Sequence, residues 1–256
     1  MKTFDTNALA SEIFSAYTNG GIITSPSARY QDFDLIAAYE VEAEFKKLRS
    51  RDSKPVGLKV GYANKAVWRA LKLDTLVWGH MYEDTVRYAT GELALRYYRS
   101  PKIEPEIVFK LKGPVGENPL AAVEWVAIGF EVIHCPYAEW QFKPADFVAA
   151  FGLHLALVVG EPLEVTPDNI HALAEQLAQF KLKLYKGEEM VDEGAGKNSL
   201  RSPALCLAEL ARVAPLGADD LVSSGTLTNG QAIQEGETWR VELQGIGLKP
   251  LKLSLV

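Results

Sequence analysis

Ile103-Glu104-Pro105-Glu106-Ile107-Val108-Phe109 is the stretch on which the reading of this chain turns. It is apolar and β-branched apart from its two acids, so it reads as a strand. Residues two apart in a strand point to one face, which sets Glu104 and Glu106 side by side. Adjacent carboxylates repel unless a cation or a shared proton relieves them. Pro105 has no N–H for a ladder and places the stretch at an edge or a bulge, where sites often lie. A solvated edge strand carrying two ordinary acids fits the same residues.

Working outward, Ile128-Gly129-Phe130-Glu131-Val132-Ile133 holds one acid in an apolar run. A carboxylate buried there must be paired or must coordinate a metal. A nearby Arg or Lys, or exposure at a strand end, would also satisfy it. Together Glu104, Glu106 and Glu131 form an all-oxygen donor set, the kind that Mg²⁺ and Mn²⁺ prefer. Three protein ligands leave three octahedral positions open. A 2-oxo acid fills two of them through its carboxylate and keto oxygens, and water fills the last.

Val56-Gly57-Leu58-Lys59-Val60-Gly61 puts one lysine in a short apolar strand. Small neighbours allow close ligand approach. Partial burial near a divalent cation should lower the basicity of Lys59, which suits acid–base work. A lysine snorkelling from a strand edge is the plainer alternative. Val222-Ser223-Ser224-Gly225-Thr226-Leu227-Thr228 is a strand entering a hydroxyl-rich turn, able to hold a carboxylate or to be an ordinary turn.

The remaining chain gives the fold class. Helices are expected at Asn7–Tyr17 and from about Phe33 to Arg51, the latter with acids early and bases late, as its dipole favours. After Pro55, strands are expected at 56–60, 103–111, 127–133, 153–159, 180–185, 221–224, 238–243 and 248–255. Helices interrupt them at 65–71, 168–177 and 203–212, the last capped by Ser202 with Pro203 at its first position. The alternation is irregular, so a doubly wound sheet is not expected. An α+β protein is, with a helical N-terminal region at 1–54 and a strand-rich catalytic domain at 55–256.

The chain has 256 residues, 48% of them hydrophobic and 23% charged, as in an ordinary globular enzyme. Its net charge of −6 argues against nucleic acid as a partner. The apolar run from Phe147 to Gly160 is broken by His154 and is shorter than the roughly 20 residues of a membrane span. It reads as a helix end feeding a buried strand. Met1-Lys2-Thr3-Phe4-Asp5 does not open a secretory signal. Cys135 and Cys206 form no zinc or redox motif, so a cytoplasmic setting is expected.

The ordered segments GLKVG (57–61), LVWGHMYEDTV (76–86), KIEPEIVF (102–109), GFEVI (129–133) and VSSGTLT (222–228) resemble the 2-oxopent-4-enoate hydratase and 4-oxalocrotonate decarboxylase family of the fumarylacetoacetate hydrolase superfamily. The likeness runs from about Leu35 to the C-terminus. It implies that Glu104, Glu106 and Glu131 are the ligands of a divalent cation, Mg²⁺ or Mn²⁺, and that Lys59 is the active-site lysine. It implies that Gly225 and Thr226 contact the substrate carboxylate, and that the C-terminal body is a mixed β-roll. The implied activity is metal-dependent hydration of a short 2-hydroxydienoic or 2-oxo-alkenoic acid in aromatic catabolism. Decarboxylation of a related dicarboxylate is the alternative, and a non-catalytic metal-binding partner subunit is a third. A homo-oligomer is implied, as is a complex with a related family member.

The chain also departs from that pattern. Ile133-His134-Cys135-Pro136 stands where a Val-Asp-Ser-Arg-like segment is usual, and Ala149-Ala150-Phe151-Gly152 where Ala-Asp-Asn-Gly is common. Two polar supports are therefore expected to be missing. His134 and Cys135 read as structural, and His154 and His171 as packed or surface residues. His80 is expected near the mouth of the site, and Glu83 or Asp84 as an assisting acid. Trp68, Trp78, Trp125 and Trp140 are expected in the core or a subunit interface.

Overall fold

The computed structural model describes residues 3–88, 91–95 and 100–256. The opening segment is helical because its caps and periodicity agree. Helix α1 (Thr6–Asn19) begins where the Asp5 side chain accepts from the Ala8 N–H. After the short α2 (Pro26–Arg29), α3 (Leu35–Arg49) begins in the same way, with Asp34 accepting from the Ala37 N–H. That cap leaves Phe33 outside the helix, and Ser50 ends it, so α3 is shorter at both ends than its composition suggests. Its last turn carries Lys46, Lys47 and Arg49.

Strands follow from Pro55. The chain forms β1 (Pro55–Gly61), a 3₁₀ turn at Lys65–Val67 running into α4 (Trp68–Leu71), then β2 (Val77–Tyr82), β3 (Val86–Tyr88) and β4 (Glu92–Leu93). The long pair β5 (Lys102–Leu111) and β6 (Val123–Ile133) comes next. Helix α5 (Pro144–Ala149) leads into β7 (His154–Val159), which is the helix end feeding a buried strand that the apolar run suggests. Then come β8 (Leu163–Glu164), α6 (Ile170–Gln179), β9 (Lys181–Lys186), β10 (Glu189–Ala195) and α7 (Pro203–Val213). The Ser202 side chain caps α7, accepting from the Ala204 N–H. The chain closes with β11 (Leu221–Ser223), β12 (Gln231–Ala232), β13 (Thr238–Gln244) and β14 (Leu251–Leu255). The last strand starts later than 248 because Pro250, without an N–H, precedes it.

These strands make two mixed sheets. The larger has the order β2-β1-β11-β5-β6-β7-β3, with β12 on β5 and β8 on β6; the smaller has the order β10-β9-β13-β14-β4. The β1–β11, β3–β7 and β4–β14 pairs are parallel and the others antiparallel. The fold is α+β, helices first and mixed sheets after.

Both faces of the large sheet are covered, which is why its strands read as nearly continuous apolar runs. One face carries Leu58, Val60, Ile107, Phe109, Ile128 and Phe130 into the main core. That core includes Ile13, Val41 and Phe45 of the helical region, and the Phe45 ring stacks on Phe151 at 4.3 Å. The other face carries Val108, Ala127 and Leu157 into a smaller cluster, and it also carries the acids.

Pro105 does not mark an edge. Strand β5 lies between β6 and β11, but its pairing with β11 stops at Val108 and its pairing with β12 starts at Ile103. In between it faces the turn after β11, and the Pro105 carbonyl accepts from the Leu227 N–H at 3.0 Å. The proline nitrogen lies on that same side, where no strand needs a donor. The gap in the sheet is where the site forms.

Candidate active site

Strand register places the acids. Glu104 and Glu106 share a face of β5, and Glu104 stands directly opposite Glu131 on β6. One oxygen from each of the three lies within 4.8 Å of the others. Lys59 of β1 is in register with Ser223 of β11, and Ser223 reaches across to the acids.

The two innermost carboxylates are held differently. Glu106 Oε2 accepts from the Ser223 hydroxyl at 2.5 Å and from the Gly225 N–H at 2.9 Å, while its Oε1 is buried with no hydrogen-bond partner. Glu131 Oε1 lies 2.8 Å from His154 Nδ1, and its Oε2 lies 2.9 Å from the Lys59 ammonium. Lys59 also donates to the Gly152 carbonyl at 2.9 Å and sits 4.9 Å from the Phe147 ring centroid.

The electrostatics follow from this crowding. Burial pushes Glu106 up to about 8, helped by the charge on Glu131 and opposed by Lys59. Burial pushes Glu104 up to about 8 as well, although its side chain keeps some surface toward the cavity. Glu131 is raised too, again chiefly by burial. For Lys59, burial works to lower the pKa, but Glu131, Glu104 and Glu106 outweigh it and the net direction is upward. Without a cation at the triad, the carboxylates act on the lysine more strongly than burial does. Burial, then the charges of Lys59 and Arg49, push His154 down to about 3.

These residues fit a hard divalent cation. The donors are all carboxylate oxygens, the Glu106 Oε1 atom has no hydrogen-bond partner among the described residues, and burial and the neighbouring acids raise Glu104 and Glu106. A dication at the triad would oppose that rise.

A cavity of about 350 Å³ opens onto this group. Lys59, Glu104, Gly225 and Thr226 line it, with Trp140 and Phe147 on its aromatic side. Lys102 also lines it, 4.1 Å from the Trp140 ring. The Gly225 N–H is already engaged by Glu106, and Thr226 Oγ1 donates to the Thr228 carbonyl at 2.9 Å. The turn therefore holds a metal-site carboxylate as well as facing the cavity.

His80 and Asp84 are not brought to this cavity. His80 pairs in register with Leu58, whose side faces away from Lys59, and its Nδ1 meets Glu42 Oε1 at 2.5 Å. Asp84 pairs with Arg49 at the end of α3. His134 and Cys135 are buried and do not line the cavity.

Residues beyond those expected complete the site. His154, Ser223 and the Gly152 carbonyl hold Glu131, Glu106 and Lys59, and Trp140 is a cavity wall. The Gly152 carbonyl comes from the segment where polar side-chain supports are missing. Gly152 has a φ of 72°, and a Cβ there would lie 2.5 Å from Lys59 Cδ. Ser223 was legible as part of a hydroxyl-rich turn. His154 gave only the signal of a polar residue breaking an apolar run.

The model of the family described as "Fumarylacetoacetate (FAA) hydrolase C-terminal" matches residues 77–249. The chain belongs to this family. It is 29% identical over 223 residues to a 4-oxalocrotonate decarboxylase of a Pseudomonas species, covering 83% of this chain and 81% of the relative. It is 26% identical over 250 residues to a 2-keto-4-pentenoate hydratase of Paraburkholderia xenovorans, covering 93% and 91%. The structure of 4-oxalocrotonate decarboxylase from Pseudomonas putida G7, complexed with magnesium and adipate, superposes with a TM-score of 0.89 at 24% identity, over all of both chains. The family's mixed curled sheet behind N-terminal helices is thus this chain's fold. Fumarylpyruvate hydrolase from Pseudomonas aeruginosa, complexed with Mn²⁺ and pyruvate, gives a TM-score of 0.60 at 19% identity, over 78% of this chain and 88% of that one.

Proposed function

We propose that this protein is a metal-dependent lyase that adds water to a short 2-hydroxydienoic or 2-oxo-alkenoic acid such as 2-oxopent-4-enoate. The observation that carries the reading is the cluster of Glu104, Glu106 and Glu131 beside Lys59, with Glu104 and Lys59 lining one cavity and the other two acids buried next to them. Relatives described as hydratases and decarboxylases, and neighbours complexed with magnesium or Mn²⁺, support it.

A Mg²⁺ or Mn²⁺ ion held by the three glutamates would supply Lewis acidity at the substrate's C2 oxygen, where negative charge develops. The protein's residues do the rest. Ser223 and the Gly225 N–H orient Glu106, and Lys59 and His154 hold Glu131. Trp140, Phe142 and Phe147 exclude bulk water from one side of the cavity. Lys59 Nζ exchanges a proton with the substrate: one added at C5 and one lost from the enol oxygen turn the dienol into the 2-oxo-3-enoate. Water then adds, its oxygen at C4 and a proton at C3.

Lys102 favours a second reading. It puts another cation on the cavity wall, suited to a distal carboxylate, as decarboxylation of a 2-oxo dicarboxylate would need.

The experiment presents the chain with 2-hydroxypenta-2,4-dienoate and Mg²⁺ and follows dienol absorbance against 4-hydroxy-2-oxopentanoate. A parallel sample receives 2-oxohex-3-enedioate, and CO₂ is measured. Metal-dependent hydration supports the first reading and CO₂ release the second. No turnover of either by the metal-loaded chain would leave a binding subunit and reject the lyase.

A further inference from the structure

We infer that His154, held by Thr85, is a positioning residue that makes Glu131 a single-oxygen ligand, and that the site thereby prefers a small octahedral cation to calcium. This rests on the reading of the three glutamates as a metal site.

A glutamate offers two oxygens, and an unrestrained one can swing from one-point to two-point binding. Calcium takes six to eight oxygens and accepts two-point carboxylates, whereas magnesium requires a near-ideal octahedron at shorter distances. A protein that ties up one oxygen on two of the three carboxylates lowers the number of oxygens available. At Glu106 this is done by Ser223 and the Gly225 N–H, both on Oε2. At Glu131 it falls to His154, whose Nδ1 is 2.8 Å from Oε1. What remain are Glu106 Oε1 and Glu131 Oε2, the latter already beside Lys59.

His154 is built to hold that position. Its side chain is wholly buried at the start of β7, as is Glu131. Its other ring nitrogen lies 2.9 Å from Thr85 Oγ1, so both edges of the imidazole are engaged and the ring cannot turn without losing both contacts. Thr85 is anchored in turn: its hydroxyl is 2.7 Å from the Tyr82 carbonyl and accepts from the Tyr82 N–H at 3.3 Å. Its hydroxyl donates to the Tyr82 carbonyl and its oxygen meets His154 Nε2, which fixes the outer edge of the ring. The series Glu131–His154–Thr85 connects a ligand on β6 to the end of β2 through the interior. None of the three lines the substrate cavity.

The test compares His154→Leu, which removes the polar contact on Glu131 Oε1, with His154→Asn, whose amide can restore a polar partner near the Nδ1 position. Mg²⁺ and Ca²⁺ affinities are measured by calorimetric titration, and the Mn²⁺ electron paramagnetic resonance spectrum reports ligand geometry. Near-UV circular dichroism checks the fold. We expect His154→Leu to lose about 10-fold or more in Mg²⁺ affinity, to lose less for Ca²⁺, and to show an altered Mn²⁺ spectrum. His154→Asn should recover the native Mg²⁺ to Ca²⁺ ratio. A folded His154→Leu protein with the native ratio and spectrum overturns the inference, as does an equal loss for both ions in both variants. If His154→Leu fails to fold, Thr85→Val frees only the outer edge of the ring. It should shift the ratio in the same direction by a smaller factor, and an unchanged ratio overturns the inference. A native chain that binds no divalent cation at all would instead remove the functional reading on which this rests.

Discussion

The ammonium of Lys59 stands 2.9 Å from Glu131 Oε2, with both side chains sealed from solvent. A buried pair of this kind needs further partners to offset desolvation. Lys59 finds them in the Gly152 carbonyl and the Phe147 ring, and Glu131 in His154. The lysine is therefore fixed within reach of anything bound at the triad. Lys59→Met keeps the apolar stem and deletes the ammonium. Turnover should fall about 10²- to 10⁴-fold, the range for loss of an acid–base group. Divalent-cation affinity should stay the same or tighten, since a repelling charge is gone. Steady-state rates and calorimetric titration of the same preparation check this, and parallel losses in both would count against it.

The acids predict a pH dependence. Glu104 and Glu106 move from an ordinary 4.5 to about 8 in the folded chain, and Glu131 moves in the same direction. Between about pH 4.5 and 8 the folded chain thus binds more protons at these groups than the unfolded chain does. Their contribution to stability is greatest at low pH and falls as pH rises through that window. A divalent cation competes with the same protons, so its affinity should rise with pH and its binding should release protons. Thermal melts with chelator and with Mg²⁺, from pH 5.5 to 8.5, should show a gap that widens with pH. A constant gap would contradict the assignment of raised acids to the metal site.

Gly152 tests the supports of the site. An alanine there must accept a φ of 72° and place its Cβ 2.5 Å from Lys59 Cδ. Such strain costs about 1 to 3 kcal/mol, or roughly 2 to 12 °C in melting temperature for a chain of this size. Because the displaced atom belongs to Lys59, activity should fall further than stability alone explains, with metal affinity held. Calorimetric melts and rates on Gly152→Ala check both.

Most of this architecture was legible in the sequence where a strand buries both faces or a helix has clear caps. The β5 and β6 runs and the Ser202 cap are examples. Strand β2 was not, because Trp78-Gly79-His80 mixes residue types whose sides depend on long-range pairing: Gly79 lies against Phe151, and His80 meets Glu42. Strand β10 was not, because its exposed, acid-bearing residues Glu189–Ala195 pair only with β9 and bury little. Within the site, the Glu104 and Glu106 pair follows from i, i+2 geometry, whereas joining Glu131 to them rested on the family resemblance. His154 follows from neither, since its contact with Glu131 depends on how β6 and β7 align, with a register shift between Val132 and Ile133.

The most direct test of the whole account is titration of the chelator-treated chain with Mn²⁺, native protein beside Glu106→Gln. Glu106 Oε1 is buried and has no hydrogen-bond partner among the described residues, so the variant should keep its fold and lose its ligand. The account predicts one tightly bound ion per native chain, and binding lost in the variant with unchanged near-UV circular dichroism. Equal binding by both proteins would contradict it.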